Sequence, residues 1–425
     1  MLTSISLENF KSFRSATLPL GPFTLLVGTN ASGKSNLRDA LRFIHGIGRE
    51  YSLAEIIDEK YGEGGERQWA GIRGGTREIS FAGQDQFRIR VELGALLGPG
   101  YGGRGFPLTY DIAVAVGDPK VGPHVLRESL YLGRFMYFDS HPSKDPPKQQ
   151  DAEHLRVRIR RASARGPHGP ARTFLSSSPA LLQAVRKSDK RLRIAEALIP
   201  ALHSMRFLDL APNAMRIPSL PGQPVLGDQG ERLSAALLAI CRDEQKKQTL
   251  LEWIRVLTPL DVVDFDFPPD YTGRVLVHLI EQGGRRISAH SASDGTLRFL
   301  GMLAAMLDPG ASRTYVIEEL ENGIHPTRLH LLVQLIEQQC RTGLVQVIAT
   351  THSPQLLGFL SPEARQSALL VYRLRGADDS AVRRVVELPD LNRILETQDL
   401  ARLHASGWLE DMVELMADTA GEAAQ

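Results

Sequence analysis

The stretch FTLLVGTNASGKSNLRDALRFI, residues 23–44, decides the fold. An apolar strand, Phe23 to Val27, runs into a glycine-bounded loop and then into an amphipathic helix. The loop fits GxxxxGK[ST] through Gly28, Gly33, Lys34 and Ser35. Its glycines let backbone N–H groups turn inward around phosphate oxygens, and the helix that follows offers its positive dipole end. Lys34 is expected to reach the β- and γ-phosphates and the Ser35 hydroxyl to ligate Mg²⁺. Strand before and helix after supply the context that separates this motif from a chance match in a Gly-rich chain.

Working outward, TYVIEELENGIHP (314–326) places Glu318 and Glu319 directly behind the apolar run Tyr315-Val316-Ile317. Burying even one carboxylate costs several kcal/mol without a cation or hydrogen bonds to meet it. A phosphate-loop ATPase has use for both. One acid at the end of a neighbouring strand holds Mg²⁺ through water, and one carboxylate polarises the attacking water. Glu318 is placed for the first role and Glu319 for the second.

VQVIATTHSPQLL (345–357) reads as another buried strand, Val345 to Ala349, with His352 beyond its end. A histidine there can contact a γ-phosphate, although a lone strand-end histidine is more often structural. SASDGTLRFLGMLAAML (291–307) opens a helix with Ser293 suited to be its N-cap, and that N-terminus is a second anion site. Alone, the segment is an ordinary capped helix.

Phosphate loop, S-D-G-T helix, E-E strand and T-H-S strand, in that order, resemble the ABC-type ATPase heads of the SMC/RecF/OLD class. The similarity is closest to stand-alone SMC-like AAA-family ATPases of the kind found in bacterial antiphage defence, where ISLENFKSFRS (5–15) would open the chain. It implies an α/β fold: a P-loop ABC-type head with a mixed central sheet, an antiparallel β lobe, a helical, basic insertion and no long coiled coil. It implies ATP and Mg²⁺ as cofactors and an ATP-sandwiched homodimer, in which Ser293 and Gly295 of one subunit close on the nucleotide of the other. Asn30 and Asn36 join Gly28, Gly33, Lys34 and Ser35 in the nucleotide-binding set, Ser35 and Glu318 form the metal set, and Lys34, Glu319 and His352 the catalytic set. Three positions depart from the pattern. Glu318 stands where many ABC proteins carry Asp, Leu320 replaces a frequent proline, and Ala292 precedes Ser293 where leucine is usual. The Q-loop glutamine has three candidates, Gln68, Gln84 and Gln86.

Of the 425 residues, 42% are hydrophobic and 23% charged, enough apolar material for a real core. No apolar run is long enough to span a membrane, and the N-terminus lacks the pattern of a signal peptide. The two cysteines, Cys241 and Cys340, fit no CxxC pattern, so a reducing cytoplasm is expected and a zinc site is not. Net charge is +1 but uneven. Residues 141–193 hold thirteen Lys/Arg against four Asp/Glu, and residues 376–425 four Arg against eleven acids.

Four segments follow from this: an N-terminal ATPase lobe (1–140), a basic insertion (141–204), a C-terminal ATPase lobe (205–375) and an acidic extension (376–425). In the first, REISFAG, QFRIRVELG, LTYDIAVAVG and RESLYLGRFMYF read as antiparallel strands. In the insertion, Arg156, Arg158 and Arg160 alternate with Val157 and Ile159, so on a strand they share one face. That face is either merely solvated or a surface for nucleic acid or an acidic partner. Asp264 and Asp266 have the DxD spacing of metal-binding acids, with solvent-facing strand acids the plainer reading.

Two functions stay open. One is an SMC/OLD-like ATPase that regulates a separately encoded, nucleic-acid-directed effector, a nuclease or TOPRIM-like protein, in antiphage defence. The other is a RecF-like repair ATPase that binds DNA directly. A neighbouring nuclease or TOPRIM-like gene would favour the first. A membrane transporter's nucleotide-binding subunit is disfavoured by the insertion and by the S-D-G-T form of the signature.

Overall fold

The computed structural model describes residues 1–97, 105–117, 120–140, 153–159, 172–186, 195–258, 260–307, 313–353, 355–374 and 376–388. In chain order its strands are β1 (Leu2–Phe10), β2 (Phe13–Pro19), β3 (Phe23–Val27), β4 (Lys60–Tyr61), β5 (Arg67–Trp69), β6 (Gln86–Leu97), β7 (Gly105–Ala115), β8 (His124–Leu132), β9 (Phe135–Asp139) and β10 (His154–Ile159). They continue with β11 (Arg172–Leu175), β12 (Met205–Leu208), β13 (Val262–Asp266), β14 (His278–Glu281), β15 (Arg286–Ser288), β16 (Arg313–Ile317), β17 (Val345–Thr351), β18 (Leu369–Tyr372) and β19 (Ala381–Arg384).

Two large sheets organise the molecule. A six-stranded sheet runs β12-β16-β17-β3-β18-β19, parallel except for the β18–β19 hairpin. All residues of β3 and β17 are buried, as expected of strands covered on both faces. Alternation survives inside that burial. Phe23, Leu25 and Val27 belong to one core with Val347 and Ala349, while Leu26 and Ile348 belong to the other. The second sheet, β11-β10-β9-β8-β7-β6-β1-β2, is antiparallel where its pairs are described. Its strands alternate, with Phe87, Ile89, Val91 and Leu93 turned inward.

The helix Lys34–Gly48 lies between the two sheets. Its Phe43 packs edge-on against Phe87 of β6 with ring centroids 5.3 Å apart. At fifteen residues it is the longest helix among the described residues, and no coiled-coil arm is present among them. Among those residues no helix is long and apolar enough to cross a membrane.

Three expectations change here. REISFAG is not a strand: it contains the end of a short helix, Gly75–Glu78, and a 3-10 turn, Phe81–Gly83. Gly74 and Gly75, both at positive φ, turn the chain, and the Lys11 N–H donates to Ile79 O. The described part of segment 141–204 does not stand apart. Its β10 and β11 extend the edge of the antiparallel sheet, and its helix Ala195–His203 packs on the helix Lys34–Gly48. The proposed boundary at 375/376 falls inside the β18–β19 hairpin. The expected helix at the acidic C-terminus lies outside the described residues.

Candidate functional site

Gly33 is the turning point of the phosphate loop. Its φ of +111° is left-handed, and a Cβ there would meet Ser380 Oγ at 2.7 Å and Ser12 Oγ at 2.8 Å, so only glycine fits. No side chain caps the helix that follows, and its first turn holds no acid, leaving the positive helix end open to an anion. Lys34 is buried. Its Nζ donates to Gly28 O at 2.6 Å and Thr29 O at 2.7 Å and lies 3.3 Å from His352 Nδ1. Burial lowers its pKa to about 8, with Glu321 and Glu319 acting against that drop.

The ends of the parallel strands supply the rest, as is usual for open α/β sheets. Beyond β16, Glu318 Oε2 pairs with Arg38 Nη1 at 3.1 Å. Glu318 Oε1 is enclosed with no hydrogen-bond partner among the described residues. Glu319 sits at a φ of +50°, a left-handed conformation that costs a non-glycine residue about 1–3 kcal/mol. Neighbouring hydrogen bonds hold it there. The Glu319 N–H donates to Thr350 Oγ1, and the Leu320 N–H to Thr350 O, both at 3.0 Å. The Glu319 carboxylate is half exposed and lies 3.8 Å from His352 Nε2. Glu321 Oε1 accepts the His352 N–H at 2.8 Å. Together Lys34, Ser35, Glu318, Glu319, Thr350 and His352 line one cleft of about 340 Å³. Among the described residues no group of three or more His, Cys, Asp or Glu could hold a metal by itself.

The structure does not gather every expected residue at this cleft. Asn30 is exposed on the loop, and Asn36 donates its amide N–H to Ser12 Oγ at 2.9 Å; neither lines the cleft. Ser293 caps the helix Asp294–Met306, its Oγ accepting the Thr296 N–H at 3.2 Å. Ser293 and Asp294 are exposed and lie off the lining, as does Gly295, whose Cβ position would come within 2.5 Å of Gly323 O. None of Gln68, Gln84 and Gln86 lines the cleft. Arg73 does, donating to Ser35 O at 2.6 Å and to Asp39 at 3.2 Å.

Sequence reasoning missed Arg38, Glu321 and two arginines that line the cleft, Arg73 and Arg298. The third acid of EELE was the one visible signal, since it follows the other two in the same short turn. Asp264 and Asp266 form no joint site: the first pairs with Lys247 at 2.7 Å and the second with Arg286 at 2.9 Å. On β10, Arg156 is exposed and Arg158 half-buried, opposite the buried Leu155, Val157 and Ile159. The register sets Asp139 beside Arg158 and Thr173 beside Arg156. Arg160, Arg161 and Arg165 lie outside the described residues.

Comparison with known proteins finds likeness in two stretches of sequence and in fold. Residues 148–358 match an AAA-domain family whose description names the AbiEii toxin of a type IV toxin–antitoxin system. Residues 1–61 match an AAA ATPase domain family. Over 48 residues the chain is 44% identical to structural maintenance of chromosomes protein 1 of Arabidopsis thaliana, a stretch covering 11% of this chain and 4% of that protein. In fold it is similar to an Smc head bound to the C-terminal winged-helix domain of ScpA, at TM-score 0.51 and 14% identity, over 90% of this chain and 97% of that one. It is also similar to the Smc head with an extended coiled coil from Pyrococcus furiosus, at TM-score 0.47 and 13% identity, over 93% and 98% of the two chains. Two stretches of the chain thus match AAA ATPase-domain families, and its fold is similar to that of an Smc head.

Proposed function

We propose that the chain hydrolyses ATP with Mg²⁺ at composite sites in a head-to-head homodimer and thereby controls a nucleic-acid-directed effector. One observation carries the reading. The phosphate loop and the ends of β16 and β17 meet at one cleft, while Ser293 and Asp294 face solvent outside it. A signature turned away from its own cleft is available to that of a second copy.

In this reading the cleft accepts the triphosphate at the open N-terminus of the helix Lys34–Gly48, and Lys34 exchanges its loop carbonyls for the β- and γ-phosphates. Ser35 and Glu318 fit Mg²⁺. Such an ion is usually held by one or two protein oxygens plus phosphates and water, and the enclosed, unpartnered Glu318 Oε1 is an oxygen of that kind. When bound there, Mg²⁺ would supply positive charge to offset that of the phosphates. Glu319, half exposed at the cleft, orients and polarises a water whose oxygen attacks the γ-phosphorus as the bond to ADP breaks. His352, between Lys34 and Glu319, contacts the γ-phosphate and so distinguishes ATP from ADP.

The setting in this reading is antiphage defence with a separately encoded effector; the matched family, described by a toxin of a type IV toxin–antitoxin system, is compatible with such a two-protein arrangement. The RecF-like alternative draws its support from Arg156, exposed on β10.

Mixing separates a composite site from a self-contained one. Lys34→Ala and Ser293→Arg should each be inactive alone, by at least about 100-fold. A mixture should regain hydrolysis, because a heterodimer rebuilds one site from an intact loop and an intact signature. A mixture that stays inactive, although both variants fold and associate, refutes the sandwich.

A further inference from the structure

Arg38 lies on the phosphate-loop helix three residues beyond Ser35 and four beyond Lys34, the spacing that puts side chains on one helix face. Its guanidinium Nη1 is 3.1 Å from Glu318 Oε2, with Arg38 only 16% and Glu318 30% exposed. The guanidinium stands over the Phe207 ring of β12, 6.0 Å from its centroid, and Arg42 one turn on stands 5.9 Å from the same ring. Arg38 is thus fixed by its helix, by an aromatic face and by the carboxylate. The other oxygen of that carboxylate, Oε1, is enclosed and has no hydrogen-bond partner among the described residues. Leaving such an acceptor unmade is costly, and native structures rarely do so without a purpose.

We infer that Arg38 is a positioning residue for the magnesium carboxylate: it holds Glu318 by Oε2 so that Oε1 alone is presented to the metal's coordination shell. The inference rests on the proposed role of Glu318 and explains its length. Glutamate has one more rotatable bond than aspartate, so a longer acid at this strand end needs an anchor to present one oxygen reproducibly. A guanidinium seated against an aromatic face supplies that anchor as a charge fixed in place, which a mobile ammonium does less well. A competing account makes Arg38 a substitute cation that Mg²⁺ must expel. The pairing argues against it, because Arg38 occupies Oε2 while Oε1 has no partner to give up. The two accounts predict opposite signs.

The test measures metal binding rather than turnover. In a Glu319→Gln background, a fluorescent ATP analogue is titrated with Mg²⁺, and Mn²⁺ binding is read in parallel by electron paramagnetic resonance. Arg38→Gln should raise the half-saturating metal concentration by about 10–100-fold, the usual cost of removing a partner that orients a metal ligand. Arg38→Lys should restore part of it. Nucleotide binding in excess chelator should be unchanged, a result that general damage to the fold would not give. In a Glu318→Asp background, where the shorter acid needs no distant anchor, Arg38→Gln should cost far less. An unchanged or lowered half-saturation in Arg38→Gln, or an equal cost in both backgrounds, overturns the inference. A half-saturating metal concentration left unchanged by Glu318→Gln in the protein with Arg38 intact would instead overturn the magnesium role of Glu318 itself.

Discussion

The parallel and antiparallel sheets place their charged residues differently. In the parallel sheet, β3 and β17 are buried along their whole length, so packing claims every mid-strand side chain and polar chemistry is left to the strand ends. Lys34, Glu318, Glu319 and His352 all lie just beyond such ends. In the antiparallel sheet β6 turns every second side chain outward, and charges sit mid-strand. Arg88 and Arg90 of β6 both pair with Asp111 of β7, at 2.5 and 2.8 Å. Burial alone would raise the pKa of that carboxylate, but the hydrogen bonds from both arginines hold it below the usual value. One architecture concentrates function at an edge, and the other spreads charge over a face. The helix Lys34–Gly48 belongs to both, because it carries the loop at one end and packs Phe43 on the antiparallel sheet.

The sharpest way to break this comparison is to substitute one residue in each sheet and read activity and stability separately. Glu319→Gln should lower the steady-state ATPase rate by about 100–10,000-fold, the range of a lost general base, while nucleotide affinity and melting temperature stay near their original values. Turnover at the original rate would remove Glu319 from its role. Phe87→Ala should do the reverse. Phe87 is fully buried between Phe10 and Phe43, and its truncation should cost about 3–5 kcal/mol in chemical denaturation. The rate per folded molecule should change little. If catalysis fell as steeply as stability, the antiparallel sheet would be part of the catalytic apparatus instead of its support.

Glu128 tests how the segment after β11 is fastened to that sheet. Its carboxylate, fully buried on β8, accepts the Tyr110 hydroxyl at 2.8 Å and the N–H groups of Ala180 at 2.6 Å and Leu181 at 3.2 Å. Burial nevertheless pushes its pKa up to about 7, above the usual 4.5, with the three donors opposing. A folded state that holds this proton more tightly than the unfolded chain loses stability as pH rises from 4.5 through about 7. Denaturant midpoints across that window should fall, and the fall should be absent in Glu128→Gln. A Glu128→Gln protein with the same pH slope would assign the titration elsewhere.

The smallest effect is expected on the outer face of β10. Replacing Arg156 and Arg158 there, together with Arg160 outside the described residues, by Gln should leave basal ATPase activity intact. If the face meets nucleic acid, the salt dependence of binding should flatten, by ~0.9 in log–log slope for each duplex phosphate that the variant no longer neutralises. Unchanged binding to DNA and to partner proteins would make it a solvated surface, a reading to which Asp139 beside Arg158 already lends weight.

As local structure, the strand–loop–helix at 23–48, the E-E turn, the strand before His352 and the Ser293-capped helix were legible because each depends on residues adjacent in sequence. Strand burial, a glycine at positive φ and an N-cap serine are local requirements, and local requirements leave local patterns. REISFAG failed for the opposite reason. Its alternation fits a strand, but the Gly74-Gly75 turn and the bond from Lys11 to Ile79 O, sixty-eight positions away, bend it otherwise.

Sequence alone determined the nucleotide-binding class of this protein, the order of its motifs and the acids at the strand end. Only the tertiary structure decided that Arg38 meets Glu318 and that Glu321 holds the histidine segment by its backbone. It also decided that Arg73 grips the loop helix, that Asn36 turns to Ser12, and that β10 and β11 complete a sheet instead of forming a separate domain. A charged side chain looks the same in sequence whether it faces water or a counter-charge. Its partner is fixed by packing of the apolar residues around both, and that packing joins positions as far apart as 38 and 318.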